Sequence, residues 1–349
     1  MDPVVDLRSD TVTRPSVAMR EAMASAEVGD DVWGEDPTIS ELEQRMAGLA
    51  GKTAGLFVTS GTMGNQLALR AHTESGQQLI CHADAHIQRY EAGAPAALNG
   101  LQVTTVASGD GSMPWSLVEP EIHPDDVHCA PPRLIAFENT HNRCGGRVQD
   151  QAVLAECARR VRERGLLTHL DGARLFNAAA ATGLSLAELC APVDSASLCF
   201  SKGMGAPVGS VLVGSEELIR RARRFRKQWG GGMRQAGILA AACLFALDHN
   251  FDRILDDHRH ARALADSIDH PHWRLRAIPD SNIVLWDLHG ERDSAWFAAE
   301  LAADGILVSS FGPRTLRMVT HLDVESAGID RAIETVNTRG RRAAAEGDR

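Results

Sequence analysis

Residues 133–171, RLIAFENTHNRCGGRVQDQAVLAECARRVRERGLLTHLD, hold an apolar run, an amphipathic run and a second apolar run. Arg133–Phe137 is apolar after its first residue, which predicts a strand covered on both faces. Gln149–Arg164 puts Val153, Leu154, Cys157, Ala158 and Val161 on one helical face. Leu166–Leu170 then returns as an apolar run, so the unit reads strand, crossover helix, parallel strand. The alternation extends upstream through Gly55–Thr59, Gln78–Cys81 and Gln102–Val106, and downstream through Ala196–Phe200 and Val208–Val213. Together these segments predict an α/β fold on a mostly parallel, seven-stranded sheet with helices on both faces.

Beyond this region the pattern changes. Ser215–Gln228 reads as a basic amphipathic helix, Gly230-Gly231-Gly232 breaks the chain, and Arg234–Asn250 reads as an alanine-rich helix. A long polar helix follows, then strands near Ile283–Trp286, Leu307–Ser309 and Thr315–Val319, the signature of a smaller α+β unit. The expected division is a large domain over residues 1–250, a small C-terminal domain over 251–337 and a frayed tail over 338–349. The N-terminal segment 1–20 is expected to contact the small domain.

Composition narrows the function classes. A formal net charge of -10 speaks against a nucleic-acid surface, which needs a basic stripe. No stretch approaches the ~18 consecutive apolar residues of a membrane span, and the first residues lack the basic and apolar regions of a signal peptide. The seven cysteines form no C-x-x-C pair, so neither a zinc ribbon nor a redox dithiol is legible. A reduced, cytoplasmic protein without a bound metal is the expectation. Of 36 basic residues only Lys52, Lys202 and Lys227 are lysines, so each is a candidate for work that a guanidinium cannot do, such as imine formation.

Three local features carry chemistry. Ser60-Gly61-Thr62 follows a predicted strand and opens a helix, where unpaired amides and the positive helix end suit an anion. The same turn also serves as an ordinary helix cap, and it is neither a P-loop nor a dinucleotide fingerprint. Asp171 ends a predicted strand, on the side of an open α/β sheet where ligands bind. Against a pyridine nitrogen it would hold the ring protonated; otherwise it caps a helix and pairs with Arg174. Lys202 follows the apolar Ala196–Phe200, where partial desolvation would free its amine. Lys52, by contrast, reads as a solvated helix-end residue.

Longer motifs surround these features: Asp6–Thr11, Gly29–Pro37, Ser60–Asn65, His86–Gly93, Glu138–Asn142, His169–Leu175, Ser201–Ser210, Gly230–Gly237 and Leu316–His321. On them, over roughly residues 5–335, the chain resembles the low-specificity L-threonine aldolases, fold type I enzymes dependent on pyridoxal 5'-phosphate. The resemblance implies that Lys202 is the Schiff-base lysine, that Asp171 holds the pyridinium nitrogen and that His86 stacks on the ring. It implies that Gly61 and Thr62 bind the phosphate, with Lys227 and Arg234 reaching it from a neighbouring subunit of a homotetramer, a dimer of dimers. Ser9, Arg174 and Arg317 would grip the substrate carboxylate, and Tyr90 would line the pocket one helical turn after His86. His128, just before the predicted strand Arg133–Phe137, is expected to approach the substrate hydroxyl. The base there is His86, His128 or a water.

The implied reaction is retro-aldol cleavage of L-threonine, L-allo-threonine and other β-hydroxy amino acids to glycine and an aldehyde. β-Elimination, racemisation or hydroxymethyl transfer on the same site, or a non-catalytic protein of the same fold, are the alternatives.

Overall fold

The computed structural model describes residues 3–346, with side-chain surroundings as far as Arg342. The first strand, β1 (Val5–Asp6), lies outside the main sheet. The main sheet comprises β2 (Ala54–Val58), β3 (Gln78–His82), β4 (Gln102–Val106), β5 (Pro132–Glu138), β6 (Leu167–Gly172), β7 (Ser195–Cys199) and β8 (Ser210–Gly214). Their order is β2-β8-β7-β6-β5-β3-β4, parallel except that β8 runs antiparallel to both β7 and β2. The expected sheet is thus present, with strand ends displaced by one or two residues. Asp171 lies inside β6, one residue before its end.

Burial explains why these runs form strands. Every residue of β3, β7 and β8 is buried, as two-sided coverage by helices requires. The crossover helix Gln151–Glu163 buries Leu154, Cys157, Ala158 and Val161, while Val153 is only half-buried. Asp150 caps it by accepting the Ala152 and Val153 amides. The basic helix is Glu216–Gln228, capped by Ser215, and the alanine-rich one is shorter than its pattern, Gly237–His249.

A second sheet, ordered β12-β13-β10-β9, is antiparallel throughout and has its own apolar core. Its strands are β9 (Trp273–Leu275), β10 (Ile283–Leu288), β12 (Ser309–Ser310) and β13 (Thr315–Val319), with β11 (Ile306–Leu307) pairing in parallel with β1. The expected strand over 307–309 is therefore two short ones, β11 and β12, and β9 was not legible in the sequence. Leu7 continues from β1, donating its N–H to Leu307 and accepting from the Val319 amide. A strap from the N-terminus thus ties the small unit before the chain enters the large one. The frayed tail is corrected: Ser326–Glu346 is one continuous helix. Val336 on it is fully buried in the small core, which holds the helix against the sheet. Residues 347–349 of that expectation lie outside the described residues.

Candidate active site

The carboxyl ends of β5, β6 and β7 meet the N-terminus of the helix Gly61–His72, and polar groups converge there. Asp171 is buried at the end of β6. Its Oδ2 accepts from Asn65 Nδ2 at 2.8 Å, and its Oδ1 from the Ala173 amide at 3.1 Å. Asn65 also donates to Glu91 Oε1 at 2.8 Å, and its carbonyl oxygen contacts His169 Nε2 at 3.1 Å. The carboxylate is therefore fixed in orientation by an amide that is itself fixed. Arg174 does not pair with Asp171 in the single chain. Arg174 is buried and clasps Asp10 with two bonds of 2.7 Å, leaving only Nη1, which faces Asn142 Oδ1 at 3.4 Å. A bidentate pair out of water is its stable use. Burial works against ionising Asp10, but Arg174, then Lys202 and Asn282, hold its carboxyl below the usual range.

Lys202 is half-buried and donates no hydrogen bond among the described residues. It lies close enough to help hold Asp10 ionised and to oppose protonation of His86. Lys52, expected to be solvated, is instead partly buried and donates to the Val193 carbonyl oxygen. Burial pushes its pKa down, but its amine is already committed.

His86 opens the short helix His86–Arg89 after β3, and its ring lies 5.6 Å from that of Tyr90. Its Nδ1 meets Glu91 Oε1 at 2.9 Å, and its backbone amide donates to Glu138 Oε2 at 2.6 Å. Burial opposes the imidazolium, yet Glu91, and then the Asp171 charge, raise the His86 pKa above the ordinary value. Glu138 and Asp171 are register partners on β5 and β6. Burial, and then the Asp171 charge, push the Glu138 carboxyl up, while the His86 and Asn142 amides counteract this.

Arg317, on β13 of the small sheet, projects toward the same region. It donates to Asn142 Oδ1 at 3.1 Å and to the Arg8 carbonyl at 3.2 Å, and stacks on Phe311 at 4.5 Å. No carboxylate pairs with it among the described residues, and its Nε is buried without a partner. Burial, and then the neighbouring Arg174 charge, lower its pKa to about 10. Ser9 lies beside that Arg8 carbonyl, its hydroxyl accepting from Thr11 Oγ1 at 2.8 Å.

The helix Gly61–His72 is capped by Ser60, which accepts from Met63. The amides of Gly61 and Thr62 precede any intrahelical acceptor. Ser210 Oγ, buried and unpartnered, would lie 3.7 Å from a Cβ on Gly61, and Ser197 Oγ 2.4 Å from one on Gly64. Glycine at 64 is thus required for the helix to approach β7. Unfilled amides, an unpartnered hydroxyl, a fixed carboxylate and an uncommitted amine fit a phosphorylated pyridine aldehyde.

Three expected residues are not in this cluster within one chain. Lys227 is exposed in the last turn of its helix, and Arg234 is exposed and pairs with Asp30 at 2.9 Å. His128 is 87% exposed at its side chain and contacts Asp126 at 2.7 Å. In the single chain it lies outside the cluster. His128 precedes the amino end of β5, whereas the cluster forms at carboxyl ends. Conversely, Asp10, Asn65, Glu91, Glu138 and Asn142 had no role assigned. Each lies inside one of the quoted motifs, and the usable signal was a polar residue in a segment otherwise destined for burial.

The chain matches the Beta-eliminating lyase family over residues 6–290. It is 44% identical over 322 residues to the Low specificity L-threonine aldolase of Escherichia coli K12, covering 92% of this chain and 95% of that protein. The solved structure of Leishmania major threonine aldolase superposes with a TM-score of 0.83 at 22% identity, covering 96% of this chain and 99% of that one. A high-resolution structure of SPT with PLP superposes with a TM-score of 0.73 at 18% identity, covering 98% and 87%.

Proposed function

The chain belongs to the beta-eliminating lyase family, and on that premise we propose that it is a pyridoxal-phosphate aldehyde-lyase cleaving L-threonine, L-allo-threonine and related β-hydroxy amino acids to glycine and an aldehyde. The observation that carries this reading is the juxtaposition of a fixed buried carboxylate, Asp171, with the uncommitted amine of Lys202 and the unpaired guanidinium of Arg317. The 44% identity to a threonine aldolase selects cleavage over the other reactions open to such a site.

Each residue has a task that its surroundings support. Gly61 and Thr62 offer amides to the phosphate, and Asp171 keeps the ring nitrogen protonated. Bound there, the cofactor supplies an electron sink for the pair released when Cα–Cβ breaks. Lys202 would hold the cofactor through its amine. Arg317 would take the substrate carboxylate, with Ser9 beside it, and so fix the orientation of the substrate's Cα–Cβ bond. His86, made more basic by Glu91, is the group that accepts the β-hydroxyl proton, directly or through a water. Tyr90 lines the wall at His86. Arg174 acts through Asp10, locking the N-terminal strap that brings the small unit to the site.

The reading is tested by incubating the purified, cofactor-loaded protein with L-allo-threonine. Acetaldehyde and glycine should appear in equal amounts; a keto acid with ammonia in their place would establish elimination and overturn it. Arg317→Leu should lower kcat/KM by roughly 10- to 150-fold, the worth of ~1.5–3 kcal/mol for a charged hydrogen bond. Most of that loss should appear in KM, with the visible cofactor absorbance intact. An unchanged KM would assign the carboxylate to another group.

Lys227 and Arg234 are proposed to complete the phosphate site of a neighbour in a homotetramer. The exposed apolar Val32 and Trp33, the latter 76% exposed, flank the Asp30–Arg234 pair and support an interface there. All seven cysteines are free and five are buried, which supports a reducing, cytoplasmic setting. No helix of the described residues is long and apolar enough to cross a membrane.

A further inference from the structure

We infer that His82, His141 and Cys144 form a binding site for one soft divalent cation of the zinc class, beside the cofactor pocket and sharing no ligand with it. His82 ends β3, while His141 and Cys144 lie in the turn after β5, the adjacent strand. One donor atom from each lies within 4.8 Å of the others. Tetrahedral zinc, with bonds of ~2.0–2.1 Å to nitrogen and ~2.3 Å to sulfur, needs its ligand atoms about 3.3–3.6 Å apart, a short inward movement from here.

A second observation points the same way. His141 is fully buried; its Nδ1 faces the Cys144 amide at 3.4 Å, and its Nε2 has no hydrogen-bond partner. A buried imidazole nitrogen left unpaired costs free energy that a cation would recover. The ring cannot easily turn away to find another partner. A Cβ on Gly111 would lie 2.4 Å from it, so that backbone packs directly on the ring, and the His82 ring crosses it edge-on at 4.6 Å. At His82 both ring nitrogens face backbone amides, Asp84 at 3.1 Å and Ser108 at 3.0 Å. Nε2 also faces the Ser108 carbonyl and hydroxyl oxygens at 3.3 Å each, so a cation at His82 would take the place of one of these contacts.

The electrostatics suit such an occupant. Burial lowers His141 to about 4 and also lowers His82, so both rings are neutral ligands at physiological pH. Burial, followed by the charges of Asp84, Glu138 and Asp110, pushes the Cys144 thiol up to about 12. The three carboxylate charges among these surroundings favour a cation beside it. Binding forms the metal–sulfur bond and releases the thiol proton to solvent, while a water fills the fourth position. Asp84 is occupied by Arg143 at 3.1 Å and Arg89 at 3.2 Å. The cation would brace the turn that carries Asn142, the contact of both Arg174 and Arg317.

Equilibrium dialysis of the holoenzyme against zinc chloride, with cobalt(II) as the spectroscopic substitute, tests this. One zinc per chain is expected, with cobalt giving intense visible d–d bands and a near-ultraviolet thiolate charge-transfer band. Cys144→Ser should abolish the charge-transfer band and weaken zinc roughly tenfold or more. Zinc should also slow alkylation of Cys144 in the wild-type protein, a readout that does not depend on how the variant folds. Substoichiometric zinc, equal zinc binding by Cys144→Ser, or unaltered alkylation would each overturn the assignment. Metal held instead by the second cluster of donors, His86, Glu91 and Asp171, would survive that substitution and so count against it.

Discussion

Lys202→Ala should abolish turnover and remove the visible absorbance of the bound cofactor, leaving a folded protein that still takes up pyridoxal phosphate non-covalently. The expectation rests on the environments of the three lysines. Lys52 donates to the Val193 carbonyl, and Lys227 is exposed on a basic helix outside the cluster. Only Lys202 is half-buried without a hydrogen-bond partner among the described residues, next to Asp10 and His86. Loss of a positioned amine that also moves protons costs at least the ~10²–10⁴-fold of a general acid–base group, and the covalent anchor goes with it. Borohydride reduction followed by peptide mapping provides the check. A variant that keeps its visible band, with label on Lys52 or Lys227, would show that the anchor had been misassigned.

Asp171→Asn should slow cleavage by roughly 10- to 150-fold at least, the equivalent of one ~1.5–3 kcal/mol charge-assisted contact. The loss of the electron sink adds to that. Asparagine preserves the shape, but it removes the charge that keeps the ring nitrogen protonated. The fold should survive because the oxygen of the new amide can still accept from Asn65 Nδ2, and the rest of β6 is unaffected. A linked change is expected at Glu138. Its carboxyl is pushed up by burial and then by the Asp171 charge, so neutralising Asp171 should bring it down. Any pH-dependent limb of kcat that Glu138 governs, lost as pH falls through its pKa, should move to lower pH. A kcat within a few-fold of wild type would mean that another group holds the nitrogen.

The strands of the main sheet were legible because two-sided burial writes itself as continuous apolar runs, and their ends were misplaced by only a residue or two. The small unit was less so. β9 is three residues long, and β11 and β12 two each, too short to show a period of two. The final helix was mistaken for a tail because its last turns are rich in arginine and alanine. Only the packing of residues such as Gly340, buried against Asp269 and His270, reveals that the helix runs on through those turns.

At the site, the residues of striking type were found from sequence position: a lysine after a strand in a chain with three, an aspartate at a strand end, a glycine in an anion-suited turn. The linear sequence determined that these groups would lie along one edge, because the carboxyl ends of parallel strands share a side of the sheet. What it could not determine was which polar groups neutralise one another. Arg174 was read as a ligand for substrate, and nothing local showed that it pairs with Asp10, 164 residues away along the chain. Asn65 joins Asp171 to Glu91, and His82 meets His141 and Cys144, through the same kind of long-range closure. Hydrophobic periodicity is a local property of a few residues. Pairing of buried charges depends on which strands become neighbours, and that is decided only when the whole chain packs.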